Sequence, residues 1–322
     1  MKKEYFIILF AVFLLFSCRS CSNTPVITPE SERFKVGFIL PGSIDDNSWN
    51  QSVFQAISSI ETDLSIEAIY RQEVLPEKCQ DVISELIEAD CRYIIGAGGQ
   101  FIDSFVQSAD LNPSILFTVI GDYEGNNRNL SAFQFDSSQA YLLAGVCAAI
   151  KTDTGKIGFI AGKRLDHILR GLESFKKGVA LVDDTIVVEE SFVGSFSDTE
   201  AGIIIAGEMI DNGVDIIVHN ADRVGIAIIN KYKSSEVFFI GNILDQNYLA
   251  PQNVVTSIVL DFKVPFYDFI NNAIRGKLLG EQYKFSIREN AVKLADFHGL
   301  INREDLKNFL EFKEVYYKEI LQ

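Results

Sequence analysis

Lys35-Val36-Gly37-Phe38-Ile39-Leu40-Pro41-Gly42-Ser43-Ile44-Asp45-Asp46-Asn47-Ser48-Trp49-Asn50-Gln51 is the stretch that decides the fold. A short apolar run stops at Pro-Gly. A polar loop follows, and residues 48–60 then carry apolar positions at helical spacing. A run without polar alternation reads as a strand buried on both faces, which is the strand of a parallel sheet. Asp46 or Asn47 is suited to cap the helix, since its side-chain oxygen can accept an orphan backbone N–H.

The same unit recurs. Strands are expected at 64–70, 92–96 and 114–120, with helices at 77–89 and 101–109 between them. A short strand at 131–135 follows, and then the rhythm restarts with a small-residue helix at 139–151. The second series places strands at 156–161, 185–192, 214–219, 237–241 and 254–260. Its helices fall at 167–181, 198–212, 223–233 and 265–275, and an amphipathic helix at 303–321 ends the chain. Strands alternating with helices in two series of similar size imply an α/β fold with two doubly wound lobes. In such sheets ligands sit outside the carboxyl ends of the strands. The loops at 41–49, 96–101, 121–125, 193–198, 219–225 and 241–247 therefore carry the candidate site.

The first of these loops holds two carboxylates, Asp45 and Asp46, and opens on the chain's single tryptophan, Trp49, with Asn50 beside it. An indole offers a flat face for stacking on a ring, and a carboxylate accepts hydrogen bonds from hydroxyl or ring N–H groups. Phe196, in Val193-Gly194-Ser195-Phe196-Ser197-Asp198, is the candidate for the ring's other face. Gly96-Ala97-Gly98-Gly99 does not complete a dinucleotide fingerprint and reads as a tight turn. Residues 158–164 are one short of a P-loop and lack its Ser/Thr. No Gly-x-Ser-x-Gly elbow occurs. No pairing of acid, base and nucleophile marks an enzyme.

Charge and cysteine usage narrow the class further. With 44 acidic and 29 basic residues the net charge is −15, which excludes the basic footprint of a nucleic-acid binder. Five cysteines, Cys18, Cys21, Cys79, Cys91 and Cys147, make no disulfide framework. Cys79 and Cys91 could pair only if a helix and the next strand met, and buried free thiols are the expected state. The three histidines are far apart in the sequence and share no metal-ligand spacing with cysteine, so neither a metal nor a cofactor is expected.

At the N-terminus, Met1-Lys2-Lys3 precedes an apolar segment that closes on Leu15-Phe16-Ser17-Cys18. A helix of about 12 residues spans roughly 18 Å, too short for a hydrocarbon core of about 30 Å. Residues 1–17 therefore read as a lipoprotein signal peptide, Cys18 as the lipidated residue (a palmitate acceptor), and 18–33 as a flexible tether. The folded chain would work outside the cytoplasm, anchored to the cell membrane by lipid. Whether Cys21 is also modified is left open.

Taken together, these segments resemble the basic membrane protein family of bacterial lipoproteins. The resemblance is carried by Asp45-Asp46-Asn47-Ser48-Trp49-Asn50-Gln51, Tyr141-Leu142-Leu143-Ala144-Gly145-Val146-Cys147-Ala148-Ala149, Thr154-Gly155-Lys156-Ile157-Gly158-Phe159, Val193-Gly194-Ser195-Phe196-Ser197-Asp198 and Asp245-Gln246. It implies two Rossmann-like lobes of periplasmic-binding-protein type I, joined by a hinge of several segments. It implies an N-terminal lobe of 34–135 plus part of 260–300, and a C-terminal lobe of 136–259 plus part of 300–322. It also implies a nucleoside-like small molecule in the cleft and an ABC permease as partner. The family's carboxylate and aromatic fall on Asp45 or Asp46 and on Trp49. A later aspartate falls on Asp122 and the second aromatic on Phe196.

Departures from the family's pattern bear on the ligand. Where the family has glycines this chain has Asp222 and Arg223, ahead of Gly225. Ile243 stands in place of an aspartate, shortly before Asp245, and Leu260 in place of a lysine. The alternative they raise is a surface lipoprotein with a degenerate cleft, acting in macromolecular binding or sensing.

Overall fold

The computed structural model describes residues 33–320, and the expectations for the signal, Cys18 and Cys21 lie outside them. The first series runs β1 (Lys35–Ile39), α1 (Trp49–Asp63), β2 (Glu67–Arg71), α2 (Cys79–Glu88), β3 (Tyr93–Gly96), α3 (Ile102–Leu111), β4 (Leu116–Ile120) and β5 (Leu130–Phe135). The second begins with α4 (Ser138–Lys151), β6 (Lys156–Ala161), α5 (Asp166–Ala180), β7 (Val187–Phe192) and α6 (Thr199–Asp211). It continues through β8 (Ile216–Asn220), α7 (Arg223–Tyr232), β9 (Phe238–Ile243) and β10 (Val254–Leu260). The last part holds α8 (Lys263–Ile274), β11 (Gln282–Phe285), β12 (Val292–Leu294) and α9 (Arg303–Ile320).

These form two six-stranded sheets, β11-β5-β4-β3-β1-β2 and β12-β10-β9-β8-β6-β7. Each is the same doubly wound order with one late strand added at its edge. All pairings are parallel except β12 on β10. Strand order reverses between β1 and β3 in one sheet and between β6 and β8 in the other, so ligand crevices are expected beyond those strand ends.

Apolar clusters cover both faces of each sheet. In the first, Val53, Ile57 and Ile60 of α1 and Phe266, Phe269 and Ile270 of α8 pack one face. Ile83 and Leu86 of α2 and Phe105 of α3 pack the other. In the second, the small-residue helix α4 is buried nearly all round between β strands, α5 and α9, which explains its alanines and glycine. Helices α6 and α7 cover the opposite face through Ala206, Met209, Val224 and Ile228.

The chain passes between the two sheets at residues 136–137, 261–262 and 286–291. The strands β11 and β12 were not expected from the sequence. Each is three or four residues long and half-exposed, so neither carries an apolar run. β12 also brings residues 292–294 into the second sheet, ahead of the 300–322 segment expected to join it. Helix α1 runs to Asp63 rather than stopping at Ile60. Ser65 at φ 52 then makes the turn, which delays β2 to Glu67.

Cys79, Cys91 and Cys147 are free and buried, so the Cys79–Cys91 pairing does not form. Burial pushes their thiols up to about 12, 11 and 12, leaving no reactive thiolate near neutral pH.

Candidate functional site

A cavity of about 750 Å³ lies where the two sheets' crevices meet, within the size range of small-ligand sites. The first lobe supplies Trp49, Asn50, Asp122, Phe133, Phe135 and the turn Ala97 to Gln100. The second supplies Tyr141, Arg164, His167, Phe196, Asn220 and Asp222, among others.

Trp49 is the first residue of α1. Its indole N–H donates to the Ala97 carbonyl at 2.9 Å, and its ring meets the edge of Phe262 at 4.8 Å. Backbone and crossing segment together fix its plane. Phe196 packs against Gly162, where a Cβ would stand 2.3 Å from the ring. The glycine after β6 is thus what lets Phe196 reach the cavity wall.

Of the other expected residues, Asp122, Asn50, Asp222 and Ile243 also line the cavity, and Asp45, Asp46, Gly225 and Asp245 do not. The Asp46 carboxylate is consumed locally. It accepts from the backbone N–H groups of Ser48, Asn50 and Gln51 at 2.9–3.0 Å and from the Asn50 amide at 2.7 Å. It satisfies orphan donors of α1 from two residues ahead of the N-cap, which is Ser48 rather than Asp46 or Asn47. Asp45 is exposed. Asp245 accepts from Asn247 N at 3.1 Å and faces His298 at 3.1 Å. Its neighbour Gln246 is fully buried and holds His219 Nε2 at 2.7 Å.

Gly225 serves that buried histidine. A Cβ there would lie 1.9 Å from His219 Nδ1. Burial pushes the imidazole down to about 4, so it stays neutral and donates from Nε2 to Gln246. Gly225→Ala is expected to destabilise the protein by about 2 kcal/mol in urea denaturation. Alanine's better helix propensity alone would stabilise by about 1 kcal/mol. A stabilised variant would therefore show that the ring is free to move.

The floor is a buried polar group that the sequence did not reveal. Asn242 Nδ2 donates to Asn220 Oδ1 at 3.1 Å. Tyr141, 1 % exposed, brings its hydroxyl beside both amides without a hydrogen bond of good geometry. Its signal in the sequence was a tyrosine in the first turn of an otherwise aliphatic helix. Asp222 completes the floor at φ 45, ψ −120, a backbone conformation suited to glycine. From there it accepts from Ser48 Oγ of the first lobe at 3.1 Å. Burial, offset by that bond and reinforced by the charge of Asp46, pushes its carboxyl up to about 6.

Ile243 has φ 73, an outlier for a β-branched residue. It is 4 % exposed and packs with Phe262 and Phe266. Asp122 accepts from Gln134 at 2.7 Å and Gln282 at 3.0 Å, the latter from the unexpected strand β11. No His/Cys/Asp/Glu cluster among the described residues could hold a metal ion. No helix among them is long and apolar enough to cross a membrane.

Basic membrane protein D of Borreliella burgdorferi (strain JD1) is 29 % identical over 99 % of this chain and 91 % of its own length. Basic membrane protein A of Borreliella afzelii is 31 % identical over 75 % of each. Among solved structures, an ABC transporter solute-binding protein from Conexibacter woesei superposes with a TM-score of 0.74 at 18 % identity, covering 89 % of this chain and 97 % of that one. A transcriptional activator of the comK gene from Bacillus halodurans gives 0.78 at 20 % identity, over 86 % and 95 %. Likenesses this distant show the fold, two α/β lobes of the periplasmic-binding-protein kind. The family model described as "Bmp: ABC transporter substrate-binding protein PnrA-like" matches residues 34–322, and the chain belongs to that family.

Proposed function

We propose that this substrate-binding protein is a lipoprotein, held outside the cytoplasm by lipid on Cys18, that captures a nucleoside-like ring compound and passes it to an ABC permease. The observation that carries the reading is one cavity lined by Trp49 and Phe196 from opposite lobes, above a floor of Tyr141, Asn220, Asn242 and Asp222. Aromatic faces take a ring, and the floor offers both donors and acceptors to hydroxyls. The unpartnered Tyr141 hydroxyl supports a polar ligand, since a buried hydroxyl left unbonded costs about 1–3 kcal/mol. Binding proceeds without turnover.

Asp222 carries the carboxylate of the floor, while Ile243 and Leu260 add apolar surface. The expected ligand is therefore less polar on that side than one recognised by aspartate and lysine. Calorimetric titration of refolded, ligand-free protein against purine and pyrimidine nucleosides tests this. Micromolar or tighter binding is the expected result. Folded protein giving no heat with any nucleoside would remove the reading and favour the degenerate-cleft alternative.

A further inference from the structure

Charge is unevenly spread around the cavity. Its carboxylates Asp122 and Asp222 already hold local donors: Gln134 and Gln282 on the first, Ser48 on the second. The wall formed by the loop after β6 and the start of α5 is different. It presents Arg164, His167 and Arg170, with Asp166 the only carboxylate among them. Neither arginine enters an ion pair among the described residues, so the cavity wall carries their charge unneutralised by a bonded carboxylate.

Arg164 lies over the Phe192 ring at 4.2 Å. Stacking fixes the guanidinium plane and leaves its N–H edge for a partner. The proton affinity of His167 is lowered, first by desolvation in the wall and then by Arg170. Near neutral pH it is a hydrogen-bonding imidazole rather than a third charge. Two guanidinium groups without an ion-pair partner among the described residues line this cavity, in a chain of net charge −15. Guanidinium groups match tetrahedral oxyanions through paired N–H bonds.

We propose that the cleft takes a ring compound bearing a phosphate monoester, of the nucleoside monophosphate class, with Arg164 and Arg170 holding the phosphate and His167 adding a hydrogen bond. This rests on the reading that Trp49 and Phe196 hold a nucleoside-like ring. A cavity of about 750 Å³ has room for both parts. It also gives the cleft a cation different in position from the lysine that Leu260 replaces.

The test is titration of the full-length protein in detergent, stripped of carried ligand, with adenosine, guanosine and their 5′-monophosphates at low and high salt. The monophosphates are expected to bind at least about 10-fold tighter than their nucleosides at low salt, with the advantage shrinking as salt rises. In the Arg164→Gln/Arg170→Gln double variant the ratio of the two affinities should fall towards one. Both arginine side chains are exposed, and circular dichroism checks that the variant is folded. Nucleosides binding as tightly as their monophosphates would overturn the phosphate site while leaving the ring-binding reading intact. A ratio that survives the double substitution would overturn it too. Binding of neither class would overturn the ring-binding reading itself, and this proposal with it.

Discussion

Replacing Asp222 by glycine is expected to make the protein more stable by about 3–5 kcal/mol near pH 7.5, and by clearly less near pH 4. Two costs are removed together. The backbone at φ 45, ψ −120 strains any residue with a Cβ, by about 1–3 kcal/mol. The carboxyl is pushed from 3.8 up to about 6, chiefly by burial. A group whose folded value is raised favours the folded state while protonated. Its contribution is intact below the unfolded value near 4 and is lost as pH rises towards 6, at about 3 kcal/mol for a shift of two units. Against this stands the lost bond from Ser48, worth about 1 kcal/mol.

Asp222→Asn separates the terms, because it keeps the strained backbone and the acceptor but not the charge. It should be more stable than the parent near pH 7.5 and equal to it near pH 4. His219 titrates in the opposite sense. Its value is lowered to about 4, so its stabilisation is complete above 6.5 and is lost as pH falls towards 4. In the parent the Asp222 and His219 trends oppose each other over that window, and in Asp222→Asn the histidine trend, which the lowered His167 shares, is no longer opposed by Asp222. Urea denaturation across this range measures all of it. A glycine variant less stable than the parent at both ends would show that the Ser48–Asp222 bond outweighs burial and strain.

The retention of so unfavourable a residue in the cleft fits a role in binding rather than in folding. Strained, poorly solvated groups are kept where a ligand will use them. That link between stability and site is what the sequence could not display. Strand runs such as residues 35–40 and 156–161 were readable because both faces are buried, so hydrophobicity alone marked them. The positive φ of Asp222 and Ile243 is invisible in composition, although glycine-to-aspartate and aspartate-to-isoleucine departures from the family pattern fell at those same two positions.

Asp46 was readable as a cap and as a ligand from the same residues. Only the geometry shows its oxygens already occupied. The cation wall was missed for a related reason. Arg164 was weighed as the end of a defective P-loop, and Arg170 lies on a helix face whose exposure the sequence marks as ordinary surface. Their common placement depends on α5 starting at the mouth of the cleft, a tertiary fact.

Trp49→Ala is expected to weaken ligand binding by about 100-fold, with Trp49→Phe losing less than about 10-fold. Stacking of a base on an aromatic face is worth about 1–3 kcal/mol, and phenylalanine keeps most of the face. Alanine loses the face and also releases the Ala97 carbonyl and the edge of Phe262 that the indole now holds. Phenylalanine loses the bond to Ala97 but keeps an aromatic ring, so the difference between the variants reports the aromatic face and its contact with Phe262 apart from that bond. Phe196→Ala should resemble Trp49→Ala in affinity, because both rings line the one cavity. The chain's single tryptophan also reports directly, since ligand entering the cleft must alter Trp49 emission. A calorimetric signal with no change in that emission would place the ligand away from this indole, and equal affinities for Trp49→Ala and the parent would say the same.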